Sequence, residues 1–296
     1  MNLLLMAAGQ TGFAFLLIET DPVLVGTAKA IQTSGAPLSS FANPAVMVSP
    51  SVEYSHLFWG PGFMVDSLGL AIPLKVSNSM TLDFKGAFNF LYSDPIPLTV
   101  DSPDEAGEAV YMASWGGAYA GTTLKIGITT SSVAGGLKYA YQRFYEYSSF
   151  ALAIDGGAVL NLNLDKPYLP KEAFLTVKNL GYGRAMGSSG EMPPVSLGAG
   201  VTFHLPRYKK FKWTDGGLAG ISIEYPYGYY FRFRMGLDYV FFRHYHLRAG
   251  FRWEGPESGF LSFGFSAAVN RFSFDFAFSH LSAFGLAFNV GFRYFL

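Results

Sequence analysis

"RFSFDFAFSH", residues 271–280, places Phe272, Phe274, Phe276 and Phe278 at every second position, with Ser273, Asp275, Ala277 and Ser279 between them. A period of two belongs to an extended strand, whose successive side chains point to opposite faces. One face of this segment must therefore meet an apolar medium, either the core of a sandwich or the hydrocarbon of a bilayer.

Composition favours the bilayer. Only 14 % of the 296 residues are charged, against roughly 25 % in soluble domains, while Phe, Trp and Tyr reach 17 % and glycines number 34. Lys plus Arg and Asp plus Glu are 21 each, so net charge gives no pull toward an acidic or a basic partner. No apolar run is long enough for a membrane-spanning helix. The absence of cysteine excludes disulfides, thiolate metal sites and a cysteine nucleophile, and suits an oxidising envelope compartment.

The alternation recurs along the chain. In 79–92, Met80, Leu82, Phe84, Phe88, Phe90 and Tyr92 oppose Thr81, Asp83, Lys85 and Asn89; in 229–239, Tyr229, Phe231, Phe233, Met235, Leu237 and Tyr239 oppose Arg232, Arg234 and Asp238. In 245–254, Tyr245, Leu247, Phe251 and Trp253 oppose His246, Arg248, Arg252 and Glu254, and the last segment sets Phe288, Val290, Phe292 and Tyr294 against Asn289 and Arg293. Strands of soluble proteins average about 5 to 6 residues, whereas these segments run about 10 to 14, the length of a tilted transmembrane strand. Tyrosine and tryptophan near segment ends fit an aromatic girdle. Fifteen candidate strands can be marked, an odd number where a single-chain bacterial barrel has an even one. The closely spaced pair 217–225 and 229–241 is the first suspect.

Residues 1–50 show no such alternation. Leu3 to Ala8 fits the remnant of a secretory signal. Beyond it, two short helix-like stretches lie near Pro22 and before Gly35. The expected fold is all-β: a transmembrane antiparallel barrel of about 14 strands over residues 51–296, with residues 1–50 holding the signal remnant and a partly helical plug inside the lumen.

The order of GFAFL, FANPA near residue 43, SLGLAIPL, VKNLG at 177–181, MPPVSLGAGVTF, GLDY, LRAGF and a phenylalanine-rich last strand resembles the PorV/PorQ family of outer-membrane barrels, which are similar to the FadL fatty acid transporter. That resemblance implies 14 strands, a lumenal N-terminal segment, and a non-catalytic accessory or binding role in type IX secretion and cell-surface attachment. The chain departs from the family at Phe41-Ala42, where a tryptophan is usual before Asn-Pro, and in the lead segment DPVLVGTAKA. The rival reading is a FadL-like uptake channel for hydrophobic small molecules. An outer-membrane hydrolase is the least supported, since Ser279 and His280 point to opposite faces and no base–nucleophile pair is evident beyond His280 with Ser282.

No cofactor is called for. Asn43 and Pro44 would be the family's Asn-Pro turn, and Asn179 and Gly181 would be strand-end geometry. Arg232, Arg234, Asp238, Arg248, Arg252, Glu254, Asp275 and Arg293 would form a charged lumenal wall, either a structural salt-bridge network or a grip on the plug. Arg207, Lys209, Lys210 and Lys212 in RYKKFKW suit a loop meeting lipid phosphates, with lipopolysaccharide as the anion if the loop faces outward, and argue less well for nucleic acid. Gly181, Gly183, Gly187 and Gly190 form a hairpin loop rather than a phosphate cradle, because no helix follows. His244 and His246 share a strand face, but Arg243 and Arg248 would repel a metal ion. Asp101, Asp104, Glu105 and Glu108 lack the spacing of a calcium loop. Expected partners are outer-membrane lipid and a protein of a secretion or attachment complex.

Overall fold

The computed structural model describes residues 14–33, 36–59, 62–94, 111–126, 129–144, 147–162, 164, 169–184, 190–207, 213–255, 259–281 and 285–296. The candidate signal remnant, the acidic insert at 101–108, Gly187 and the three lysines of RYKKFKW lie outside these residues.

Strands β1 (Ser51–Trp59), β2 (Phe63–Lys75), β3 (Met80–Ser93), β4 (Tyr111–Ile126), β5 (Thr129–Phe144), β6 (Tyr147–Asn161) and β7 (Glu172–Arg184) form one half of a single antiparallel sheet. A two-residue strand, β8 (Gly190–Glu191), pairs only with the end of β7. The other half is β9 (Ser196–Leu205), β10 (Thr214–Pro226), β11 (Arg232–Phe241), β12 (Tyr245–Glu254), β13 (Gly259–Val269), β14 (Phe272–Leu281) and β15 (Gly285–Phe295). The ladder returns on itself because β1 pairs with β15 and β7 with β9. Among the described residues, fourteen long strands thus make a closed cylinder, which leaves no unpaired edge.

The suspected pair near 217–241 is two genuine strands, β10 and β11. The surplus candidate came from 109–119 and 122–130, which are largely one strand, β4, with Thr129 and Thr130 opening β5. The two candidates divide at Ala120-Gly121, but both residues are paired within the ladder, and a register shift between Trp115 and Tyr119 lies inside the same strand. A bulge interrupts the alternation without ending the strand.

The opening stretch is now resolved by exposure. Phe274 is 56 % exposed and its neighbour Asp275 2 %. The phenylalanines point out of the cylinder, together with Phe58, Leu68, Ile72, Phe84, Leu137, Leu152, Ile223 and Phe263 from other strands. Polar side chains turn inward and are buried, among them Glu53, Lys85, Lys138, Asp155, Lys178, Glu224 and Asn289. That is the inside-out arrangement of a barrel whose solvent is hydrocarbon. Polar groups also occur on the outward face: Asp66 accepts from the Tyr54 hydroxyl at 2.6 Å and lies 2.8 Å from His56 Nδ1.

The described residues ahead of β1 lie largely inside the cylinder. A 3-10 turn (Ala14–Leu17), the short helix α1 (Pro22–Gly26) and a second 3-10 turn (Pro37–Phe41) lie along it, and most of residues 20–46 are buried. Asp21 caps α1, accepting from Val23 N at 2.8 Å, and Pro22 opens it without losing a hydrogen bond. Glycines let the two layers meet. A Cβ on Gly236 would lie 2.4 Å from the Thr27 carbonyl oxygen, one on Gly250 2.4 Å from Ala28 N, and one on Gly291 2.6 Å from Pro22 Cγ.

Gly236→Ala is expected to loosen this docking by roughly 1–3 kcal/mol, measured as a lower melting temperature in detergent and faster proteolysis within residues 20–46. Phe276→Arg, on the outward face near mid-strand, should cost about 2–4 kcal/mol in urea unfolding from lipid vesicles.

Candidate functional site

Both chain termini of the cylinder lie at one end, since Ser51 pairs with Phe295. That end is called terminal here, and the opposite one far. The candidate site is the lumen, built from the inward positions of the strands and from the enclosed segment.

All eight residues of the expected charged wall belong to the inward face, but they split into two groups. Near the far end, Arg232 Nε lies 2.5 Å and Arg252 Nε 3.3 Å from Glu254 Oε1. Arg234 donates to Glu224, and Arg232 Nη1 is 3.5 Å from the same carboxylate. Lys178 Nζ donates to Glu224 Oε1 at 2.5 Å, and the Ser196 hydroxyl donates to it at 2.7 Å. Near the terminal end, Arg248 Nε donates to Asp238 Oδ2 at 3.0 Å, the Ser266 hydroxyl links Arg248 to Asp275, and Arg293 Nη2 lies 3.3 Å from Asp275 Oδ2. His246 Nδ1 is 2.9 Å from Asp238 Oδ1, which gives that histidine a carboxylate partner.

These charges chiefly bind one another, while small polar side chains hold the plug. Thr20 O accepts from the Ser55 hydroxyl at 2.6 Å and from Asn289 Nδ2 at 2.8 Å. Ser262 donates to Gly26 O, Ser222 to Lys29 O and Ser132 to Ala45 O. Lys85 Nζ reaches Pro44 O at 2.7 Å and Val46 O at 2.5 Å, while Leu38 N donates to Glu53 Oε2 at 3.0 Å. Sequence reasoning set Lys85 and Asn289 on the polar side of their strands without a role, and passed over the serines, which look neutral on a strand. Their phase, shared with the inward charges, was the available signal.

Asn43 is buried in the plug, where Nδ2 donates to Gln32 O at 2.9 Å and Oδ1 accepts from Ala45 N at 3.0 Å. Asn179 and Gly181 are not at a strand end: both lie inside β7. Asn179 takes a positive φ of 57° at a register shift against β6, and donates its N–H to Asp155 Oδ1 at 2.7 Å and its amide to Pro194 O at 3.1 Å. Lys138 bridges Asn179 Oδ1 at 2.8 Å and Asp155 Oδ2 at 2.6 Å, so a buried network fills the bulge. Arg207 is exposed at the terminal end, and Lys209, Lys210 and Lys212 fall outside the described residues.

A third region is apolar. Leu57, Val65, Leu91, Ala140, Ala151 and Ala287 cluster on the inner wall near the far end, with Leu16, Ile18, Trp59 and Phe63 packed against them. Inner walls of such barrels are ordinarily polar, so this patch sets one side of the far mouth apart from the cationic side.

No family model matches the sequence, and no curated protein matches it. Solved structures do. The Pseudomonas putida toluene transporter TodX superposes with a TM-score of 0.61 at 10 % identity, over 93 % of this chain and 96 % of that one. The Ralstonia pickettii toluene transporter TbuX gives 0.57 at 10 % identity, over 96 % and 100 %. A Pseudomonas aeruginosa FadL homologue gives 0.52 at 12 % identity, over 94 % and 99 %. The fold is that of a FadL-like outer-membrane barrel. With its apolar exterior and closed ladder, the chain is an integral protein of the bacterial outer membrane.

Within the enclosed segment, burial and the neighbouring Glu19 push the Asp21 carboxyl up to about 6. A raised folded value means that Asp21 contributes most below its ordinary 3.8 and that this contribution is lost as the pH rises toward about 6. Docking of residues 20–46 should therefore weaken by about 2–3 kcal/mol across that window. Asp21→Asn should flatten this part of the profile, as read by hydrogen exchange of the segment from pH 4 to 7.

Proposed function

We propose that the protein is a channel-type barrel for the uptake of hydrophobic small molecules. The observation that carries this reading is the apolar inner patch at the far mouth. A polar inner wall would be indifferent to a hydrocarbon, whereas this patch, covered by Leu16 and Ile18 of the enclosed segment, would give it a dehydrated seat once those side chains move aside. Burying about 200 Å² of a toluene-sized ligand contributes on the order of 5 kcal/mol, a dissociation constant of roughly 0.2 mM. The fold shared with two toluene transporters supports the same reading.

The plug blocks the axial route, so onward passage would be sideways. The wall from β3 to β7 offers the place. Its ladders shift between Lys85 and Ala87, between Trp115 and Tyr119, and between Ile154 and Gly156, and a Cβ on Gly86 or Gly156 would meet nothing within 4 Å.

A second reading, an accessory component of protein export and surface attachment like PorV/PorQ, is favoured by the density of bonds between plug and wall. The two separate in one measurement. Purified protein should bind radiolabelled toluene saturably, with affinity falling about tenfold in Leu57→Gln. Absence of saturable binding by the folded parent would overturn the uptake reading, and co-purification of a secretion component from native membranes would favour the second.

A further inference from the structure

The far-end charges do not balance. Among the described residues, Lys29, Lys178, Arg232, Arg234 and Arg252 form one contiguous group with three carboxylates, Glu19, Glu224 and Glu254. Five cations against three anions leave an excess of about two positive charges inside a lumen where uncompensated charge is costly. Lys29 belongs to the plug, 3.3 Å from Glu19 Oε2, and the others belong to the wall. Arg234 is 1 % exposed, yet only its Nη2 is engaged, by Glu224; its Nε and Nη1 have no hydrogen-bond partner among the described residues. The Arg252 guanidinium carbon lies over the Phe260 ring, 4.4 Å from its centroid, a contact that supplies no counter-charge.

We infer that this cluster is a binding site for a small oxyanion of the carboxylate, sulfate or phosphate class, seated between Arg234, Arg232 and Arg252 and bridging the wall to Lys29 of the plug. Guanidinium N–H groups suit such oxygens, and the free buried Nε–H and Nη1–H of Arg234, which point to different sides of its plane, each call for an acceptor. Entry is from the far mouth, since the side chains of Arg252, Glu254 and Arg232 are 23, 17 and 11 % exposed whereas that of Arg234 is 1 %. The anion neutralises the excess and ties the plug to the β10–β12 wall. The site stands on the opposite side of the lumen from the apolar patch and does not depend on the uptake reading.

Burial also pushes the Lys29 ammonium down to about 7, so loss of its proton is the competing way to relieve the excess. Isothermal titration of the purified full chain at pH 6.5 with sodium sulfate, phosphate and acetate, at ionic strength fixed with chloride, separates the two. The expected result is saturable 1:1 binding of at least one oxyanion, weakened about tenfold or more in Arg234→Gln and also weakened in Arg252→Gln, with Arg271→Gln at an exposed turn unchanged. Proteolysis of the plug should slow in the presence of that anion in the parent and not in Lys29→Met. No saturable binding by folded parent protein overturns the proposal. So does affinity that is unaltered in both arginine variants, or binding that chloride alone matches. Should Arg234→Gln fail to fold, Arg252→Gln alone carries the test.

Discussion

Inside a bilayer every backbone N–H and C=O must find a partner, because no water is there to take its place. The closed ladder of fourteen strands meets that demand for the wall. The enclosed segment cannot meet it alone, since its helix is only Pro22–Gly26 and its remaining turns are short. Its carbonyls are instead taken by inward side chains, Ser55, Lys85, Ser132, Ser222, Ser262 and Asn289. Irregular backbone is tolerated at this depth because the wall was built with donors where the segment has acceptors.

The same inward face sorts its charges by height. Acidic groups prevail near the terminal end, where Asp21, Glu53, Asp238 and Asp275 meet Arg248 and Arg293, and basic groups prevail toward the far end. A chain of zero net charge thus holds a polarised lumen. Buried ion pairs of this kind add little net stability once desolvation is counted, and their arrangement bears more on what enters and on where the plug rests.

Alternation made most of the wall legible, because a closed sheet between water and hydrocarbon forces a two-residue period on every strand. It failed where glycine removed the period. β4 was split at Ala120-Gly121, just past the register shift that holds Gly116 and Gly117, and the Asn179 bulge looked like an end. The charged wall could be read from arginines set against aromatics in β11, β12 and β15. Glu224, Lys178 and Glu53 were missed although the contrast was present, Glu224 standing between Ile223 and Tyr225 and Glu53 between Val52 and Tyr54. The outward pair of His56 and Asp66 broke the rule in the other direction: charge on the hydrocarbon side is hidden by mutual pairing and by the Tyr54 hydroxyl. Partners across strands cannot be read from one strand's pattern.

The Thr20 carbonyl accepts from Ser55 on β1 and from Asn289 on β15, the two strands whose pairing completes the circle. First and last strands are therefore joined twice, once by their own ladder and once through an atom of the segment that precedes them both. Sealing the seam and seating the filling become a single step of assembly. A cylinder that closed empty would bring two unmatched donors together where the third party should have been.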